Sequence, residues 1–264
     1  MDLPVTASLV PRLEILAHAG STNDELARRA RDDADGTLWP DRSVLVTDDQ
    51  RNGRGRLGRV WTTPPGASLA VSVLLRPITA AGKPLDLAAY GWLPLLAGAA
   101  LAGALRGLGV QAGVKWPNDV LIGGRKVSGI LSELLPSADG AIVGTGINLR
   151  QRAEELPTDW STSLALAGLE APDADVVLAE YLREFTALYD AYLAADGDAE
   201  ASGLRAAVTE ACVTLGRSVR VELPGGAHLT GTAEGIDADG RLVIRPLTDG
   251  DSVAVAAGDV THVR

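Results

Sequence analysis

Gln50-Arg51-Asn52-Gly53-Arg54-Gly55-Arg56-Leu57-Gly58-Arg59 runs directly into Val60-Trp61-Thr62-Thr63-Pro64-Pro65-Gly66, and the second stretch decides how the first is read. Gly53-x-Gly55-x-x-Gly58 has the spacing of the dinucleotide-binding fingerprint, which must end a strand and open a helix. No helix opens here. Two prolines and a glycine lead into an alternating strand over Ala67 to Leu75, with Leu69, Val71, Val73 and Leu75 on one face. A doubly wound dinucleotide fold is therefore rejected, and no P-loop pattern occurs to replace it.

The chemistry of the loop survives that rejection. Four arginines fall within the nine residues Arg51 to Arg59, with no acid between Gln50 and Val60, in a chain of formal net charge -10. Glycines between the arginines let the backbone bend closely around a bound group. Arginine presents a planar fork of donors that suits phosphate and carboxylate oxygens. A solvated surface turn is the plain alternative; the acidic background and the glycine alternation point instead to a small anion.

Length and composition set the frame. The 264 residues are 46% hydrophobic, with few aromatics, which suits one large aliphatic core with or without a small second domain. The acidic balance argues against a general nucleic-acid binder. Cys212 is the only cysteine, so neither an internal disulfide nor a cysteine-based metal site can form, and a reducing compartment fits. Met1-Asp2-Leu3-Pro4 has no secretory n-region, so a cytoplasmic location is expected. Leu87 to Leu105 is 19 residues without a charge, but it holds seven alanines, three glycines and Pro94, and reads as a buried helix rather than a membrane span.

Outward from the loop, Arg12 to Ala17 reads as a short strand, and Ser21-Thr22-Asn23-Asp24-Glu25 as a capped helix start. Ser43 to Thr47 is the strand that delivers the loop, and a helix is expected over Asp86 to Leu108. Val110 to Lys115 alternates. Val120 to Ile122, Gly123-Gly124 and Lys126 to Leu135 form a hairpin, and Ala141 to Leu149 another strand. Val176 to Ala194 is amphipathic, with Leu178, Tyr181, Leu182, Phe185, Leu188, Tyr189 and Tyr192 on one face. Asp196 to Ser202 breaks the chain or caps the next helix. From Leu215, short strands separated by Pro224-Gly225-Gly226, Asp239-Gly240 and Asp249-Gly250 read as a small β-barrel. The expected class is α+β, with a domain over residues 1–213 and the barrel over 214–264.

Other clusters carry candidate chemistry. Lys115-Trp116-Pro117-Asn118-Asp119 packs charged, aromatic and amide groups around a proline turn, and only three lysines occur in the chain. Asn118 and Asp119 also suit an ordinary turn. Lys126 starts a strand that continues through Ser128-Gly129-Ile130-Leu131 to Glu133; strand-start lysines are commonly just solvated. Gly144-x-Gly146-Ile147-Asn148 ends a strand whose glycines also suit close packing. Trp160 follows a polar loop and either covers core or stacks on a ring. His18, His228 and His262 share no spacing with each other or with acids, and no metal-ligand cluster of protein origin is expected.

Taken in order, Ser21-Thr22-Asn23, Gln50 with Gly53-Arg54-Gly55-Arg56-Leu57-Gly58-Arg59, Lys115-Trp116-Pro117-Asn118-Asp119, Lys126 with Gly129-Ile130-Leu131, Gly144-x-Gly146-Ile147-Asn148 and Trp160 resemble the biotin protein ligases. The resemblance runs from about Arg12 to the C-terminus and is specific through its order and spacing. It implies a core related to class II aminoacyl-tRNA synthetases, followed by an SH3-like barrel. It also implies a two-step reaction: biotin and ATP form biotinyl-5′-AMP, and a lysine of a biotin carboxyl carrier protein then takes the biotinyl group.

By that resemblance Ser21, Thr22, Asn23 and Gln50 bind biotin, and Arg54, Gly55 and Arg56 lie over biotin and the phosphates. Lys126 holds the carboxylate and α-phosphate, and Lys115 adds a second positive charge. Arg59, Asn118, Asn148 and Trp160 serve the nucleotide, and Asp119 orients the incoming amine. Magnesium is expected to accompany ATP. Some relatives carry an N-terminal DNA-binding domain. Here the resemblance begins near Arg12, which leaves no room for one, so no DNA partner and no membrane are expected. A monomer or a homodimer is equally compatible. Leu57 stands where some relatives have a further basic residue. The alternatives are a lipoate or octanoate ligase or transferase with a related pocket, and a non-catalytic phosphate or nucleic-acid binding module.

Overall fold

The computed structural model describes residues 1–33, 35–223, 227–247, 250–256 and 258–263. The turn expected at Pro224-Gly225-Gly226, and Asp249 of the last turn, lie outside them. The first part of the chain runs α1 (Pro4–Ala7), β1 (Leu13–Ile15), α2 (Thr22–Asp32), β2 (Val44–Thr47), β3 (Gly53–Arg54), β4 (Val60–Trp61) and β5 (Ser68–Leu75). The middle adds α3 (Leu93–Gly107), β6 (Ala112–Lys115), β7 (Asp119–Ile122), β8 (Arg125–Leu134), β9 (Ala141–Asn148), α4 (Ala174–Ala194) and α5 (Leu204–Ala211). The C-terminal part holds β10 (Ser218–Glu222), β11 (His228–Ile236), β12 (Leu242–Pro246), β13 (Val253–Val255) and β14 (Asp259–His262).

Seven strands form a mixed sheet in the order β1-β2-β5-β9-β8-β7-β6, in which only β1 and β2 are parallel. Helices α3, α4 and α5 cover one face, and α2 packs on the other against β5 and β9. Strand alternation explains the division. Leu69, Val71, Val73 and Leu75 of β5 and Val143 and Ile147 of β9 point to the large aliphatic core under α3 and α4. The buried face of α4 is the one its periodicity predicts, with Leu178, Tyr181, Leu182, Phe185, Tyr189 and Tyr192 inside. Between those large residues, β5 carries Ala70 and Ser72 and β9 carries Gly144 and Gly146. The register sets Ala70 opposite Gly146 and Ser72 opposite Gly144. The opposite face of the sheet is thus floored with small residues and leaves space beneath α2.

The apolar stretch before β6 is not one continuous helix. Leu87–Trp92 is a 3-10 segment, capped by Asp86, whose Oδ1 accepts from the Ala88 N–H at 2.9 Å. Helix α3 begins after it, with Pro94 in its first turn, where a missing N–H costs nothing. Eleven residues of α3 are buried, as expected of a core helix.

The C-terminal strands form an antiparallel sheet in the order β13-β12-β11-β10-β14, the expected SH3-like unit. It is seated on the preceding part of the chain by two indoles. Trp116 Nε1 donates to Gly240 O at 3.0 Å and Trp92 Nε1 to Ala238 O at 3.1 Å. The Asp239-Gly240 turn, with Gly240 at φ +77°, is therefore a docking point between the two units.

Candidate active site

The Arg/Gly segment folds as a hairpin: β3 pairs with β4, Gly53 opposite Trp61 and Arg54 opposite Val60. Leu57 and Gly58 at its tip are both left-handed, at φ +57° and +73°. A strand follows, as the rejection of the dinucleotide fold requires. The hairpin lies across the small-residue face of the sheet and encloses a cavity of about 510 Å³, a size suited to a small ligand.

The cavity has two ends. At the first, Ser21 caps α2, its Oγ accepting from the Asp24 N–H at 3.4 Å. Thr22 donates to Gln50 Oε1 from its backbone N–H at 2.9 Å and from its hydroxyl at 3.1 Å. With the Gln50 oxygen taken twice, its Nε2 is left as the outward donor. The Ser72 hydroxyl lies 2.8 Å from Thr22 Oγ1 and 2.6 Å from Asn23 Oδ1, and donates to one of them at a time. Asn23 sits directly above Gly144, where any Cβ would strike its amide.

At the second end, Asn118 closes a loop with Ile130: its Nδ2 donates to Ile130 O at 3.0 Å, and Arg56 Nη1 donates to its Oδ1 at 2.8 Å. Lys126 Nζ lies 2.6 Å from Asp119 Oδ1, as an ion pair rather than a well-aligned hydrogen bond. Asn148 Nδ2 donates to Thr162 O at 2.9 Å. That fixes Oδ1 toward Gln151, whose Nε2 donates to it at 2.8 Å. Between the ends, Trp61 lies on the floor. Its ring would be 2.6 Å from a Cβ at Gly146 and 3.2 Å from one at Gly129, and the Lys126 ammonium stands 5.6 Å from its centroid.

Of the residues expected in the site, Ser21, Thr22, Asn23, Gln50, Arg54, Gly55, Arg56, Arg59, Asn118, Asp119, Lys126 and Asn148 line this one cavity. Two do not. Lys115 and Trp116 belong to the same five-residue cluster as Asn118 and Asp119 but face the junction with the C-terminal unit. Trp116 is buried, and its backbone N–H donates to Thr214 Oγ1 at 3.0 Å. Lys115 stands near His262, whose imidazole is pushed below its ordinary pKa by burial and then by the charges of Lys115 and Arg217. The turn at Pro117, which follows a cis peptide bond, separates the two halves of the cluster. Trp160 is the other exception. Its backbone pairs with Lys126, but its side chain is 61% exposed and stands outside the wall, which this segment reaches through Pro157, Thr158 and Ser161.

Arg54 lines the cavity, yet both of its terminal nitrogens are held by acids rather than left for a phosphate. The sequence reading also missed four contributors. Ser72 and Trp61 lacked any signal beyond strand alternation. Gln151 and Glu133 act through partners far away or on a loop.

Gly146→Ala is expected to force the Trp61 ring off the floor, because backbone on one side and an indole on the other leave no room for a methyl group. Overpacking of this kind costs about 1–3 kcal/mol, and thermal unfolding against wild type measures it. An unchanged melting temperature would show that the ring moves freely.

Four cations and one acid, Asp119, line the cavity among the described residues, inside a chain of net charge -10. Such a site, on a mixed sheet with a hairpin across it, suits the binding of small anions. Comparison with known proteins gives the family. Residues 20–148 match the Biotin/lipoate A/B protein ligase family, and residues 214–263 match the Biotin protein ligase C terminal domain. The chain is 37% identical over 257 residues to a biotin–acetyl-CoA-carboxylase ligase of Mycobacterium tuberculosis, covering 96% of this chain and 90% of that protein. It is 32% identical over 238 residues to the ligase of the same name from Paracoccus denitrificans, covering 88% and 93%. The biotin protein ligase of Aquifex aeolicus, solved in complex with biotin and ATP, superposes with a TM-score of 0.76 at 28% identity, covering 96% and 99%. This chain belongs to the biotin protein ligase family.

Proposed function

We propose that the chain is an ATP-dependent ligase that forms biotinyl-5′-AMP and passes the biotinyl group to one lysine of a biotin carboxyl carrier domain. The observation that carries this reading is that Arg56, Arg59 and Lys126 line one cavity together with Asp119. In the first step a biotin carboxylate oxygen attacks the α-phosphorus of ATP, the bond to the β-phosphate oxygen breaks, and pyrophosphate leaves. Two anions meet, so fixed positive groups must offset their repulsion and the charge that develops between them. Lys126 is placed to do so, and Arg56 and Arg59 line the same cavity. The small-residue floor and the Thr22, Asn23 and Gln50 amide and hydroxyl groups suit the uncharged, hydrogen-bonding end of biotin. Asn118 and Asn148 lie at the nucleotide end.

In the second step the lysine ε-amine attacks the acyl carbon, AMP leaves with the anhydride oxygen, and the new amide nitrogen gives up a proton. Asp119 is the acid in the wall and orients the amine. Asp119→Asn is expected to slow transfer from preformed biotinyl-AMP by about 100-fold. If single-turnover transfer ran at the wild-type rate, that role would be wrong.

Magnesium is expected to arrive with the nucleotide. Asp119 is engaged by Lys126, and no group of three metal-ligating side chains occurs among the described residues. Magnesium would therefore be held chiefly by the nucleotide's phosphates, and no step is assigned to it. We place the division between catalytic and C-terminal units between Val213 and Thr214, and the protein in the cytoplasm.

The test is the intact mass of a carrier domain incubated with this protein, biotin, ATP and magnesium. A gain of one biotinyl group supports the reading. A gain only with lipoate or octanoate keeps the fold and changes the acid. No gain with any of the three, on a carrier that a known ligase modifies, overturns it.

A further inference from the structure

Glu133, near the end of β8, has no place in the chemistry above, yet it joins three separate elements. Its Oε1 accepts from Arg54 Nη1 at 2.8 Å, and its Oε2 accepts from Arg54 Nη2 at 2.9 Å. The same Oε2 accepts from Asn23 Nδ2 at 2.8 Å. Arg54 Nη2 also reaches Asp24 Oδ1 at 2.5 Å. One carboxylate on β8 thereby takes three donors, two from the hairpin at β3 and one from the start of α2.

Two consequences follow. Arg54 spends both terminal nitrogens on acids, so it fastens the hairpin to the sheet and helix instead of gripping a ligand anion. Asn23 has its amide orientation set from both sides: Nδ2 faces Glu133 and Leu131 O, the latter at 3.2 Å, while Oδ1 meets the Ser72 hydroxyl. Isolated surface pairs contribute little, but a bidentate arginine fork in a network is the geometry in which they do contribute. A glutamine at this position would set its own N–H groups against those of Arg54 or Asn23.

We infer that Glu133 is a positioning residue that holds the Arg/Gly hairpin down over the cavity through Arg54 and fixes the amide of Asn23 at the cavity's first end. The effect on biotin rests on the ligase reading; the hold on the hairpin stands on geometry alone.

The hairpin supplies its own probe, because Arg51, Arg54, Arg56 and Arg59 are trypsin sites. Limited trypsinolysis of the ligand-free protein, read by mass spectrometry at Arg56 and Arg59, is expected to run about fivefold faster in Glu133→Gln than in wild type. Asp24→Asn, which removes only the second acid, is expected to give a smaller increase. The double variant Glu133→Gln/Arg54→Gln is expected to cut no faster than Arg54→Gln, because both changes remove one contact. Wild-type cleavage rates in Glu133→Gln, or additive effects in the double variant, would overturn the proposal. In steady-state ligation, Glu133→Gln is expected to raise the KM for biotin about tenfold with little change in kcat, the pattern of lost ligand binding; a fall in kcat alone would contradict the positioning role. A wild-type protein that ligates no biotin would sink the ligase reading and leave the proteolysis result to decide the hairpin.

Discussion

Lys126→Ala is expected to slow biotinyl-5′-AMP formation by about 10³-fold, the scale of removing one preorganised group that stabilises developing charge. The position explains the size. The backbone of Lys126 is pinned by the Trp160 carbonyl, which accepts its N–H at 2.7 Å, and its own carbonyl accepts from the Thr162 N–H at 2.8 Å. Its ammonium is fixed between Asp119 at 2.6 Å and the Trp61 ring, and a Cβ at Gly129 would come within 2.9 Å of it. The group is thus held in place before substrate arrives, so little reorganisation is left for the reaction itself. The fold should survive, because the Lys126 side chain is 32% and the Asp119 side chain 20% exposed; with Asp119 Oδ1 itself buried, losing the pair is expected to cost about 1–3 kcal/mol. Burst formation of the adenylate by rapid quench, alongside thermal unfolding, separates the two effects. A burst within tenfold of wild type would mean that the arginines carry the charge stabilisation and Lys126 does not.

The route from sequence to this site was clear where the signal is local. Alternation along Ser68–Leu75 and Ala141–Asn148 puts large residues on one face and Ala70, Ser72, Gly144 and Gly146 on the other, which amounts to a core face and a cavity floor. The Ser21 cap and the Gly123-Gly124 hairpin are local in the same sense. The absence of a helix after Gly58 was enough to reject the dinucleotide fold. Where the sequence misled, tertiary contacts decided. Lys115 and Trp116 read as part of one polar cluster, but hydrogen bonds from Trp116 to Thr214 and Gly240, about a hundred residues on, turn that half toward the C-terminal unit. The role of Glu133 depends on partners 79 and 110 residues away. No spacing rule reaches that far; only the register of β8 against β9 and the position of α2 bring those groups together.

Arg56→Gly is expected to release biotinyl-5′-AMP into solution about a hundredfold faster than wild type, with a smaller effect on its formation. Among the described side-chain contacts the hairpin is tied at two places, while the backbone N–H groups of Arg51 and Asn52 donate to Ala19 O and Gly20 O at 2.9 and 2.8 Å where the chain enters it. Arg54 ties its base to Glu133 and Asp24, and Arg56 ties its tip to Asn118 at 2.8 Å and to the Gly258 carbonyl of the C-terminal unit at 3.3 Å. The second tie spans the cavity mouth, from the hairpin to the turn after β6 and on to the loop before β14. Glycine at position 56 removes both bonds and adds backbone freedom beside Gly55, so the tip should open while the base stays fastened. A mixed anhydride that is no longer shielded from water escapes and hydrolyses. Ultrafiltration after a single turnover without carrier, counting adenylate in the filtrate, measures the escape directly. Retention equal to wild type would show that the base alone closes the cavity. Loss of adenylate formation with normal retention would move Arg56 from holding the intermediate to making it.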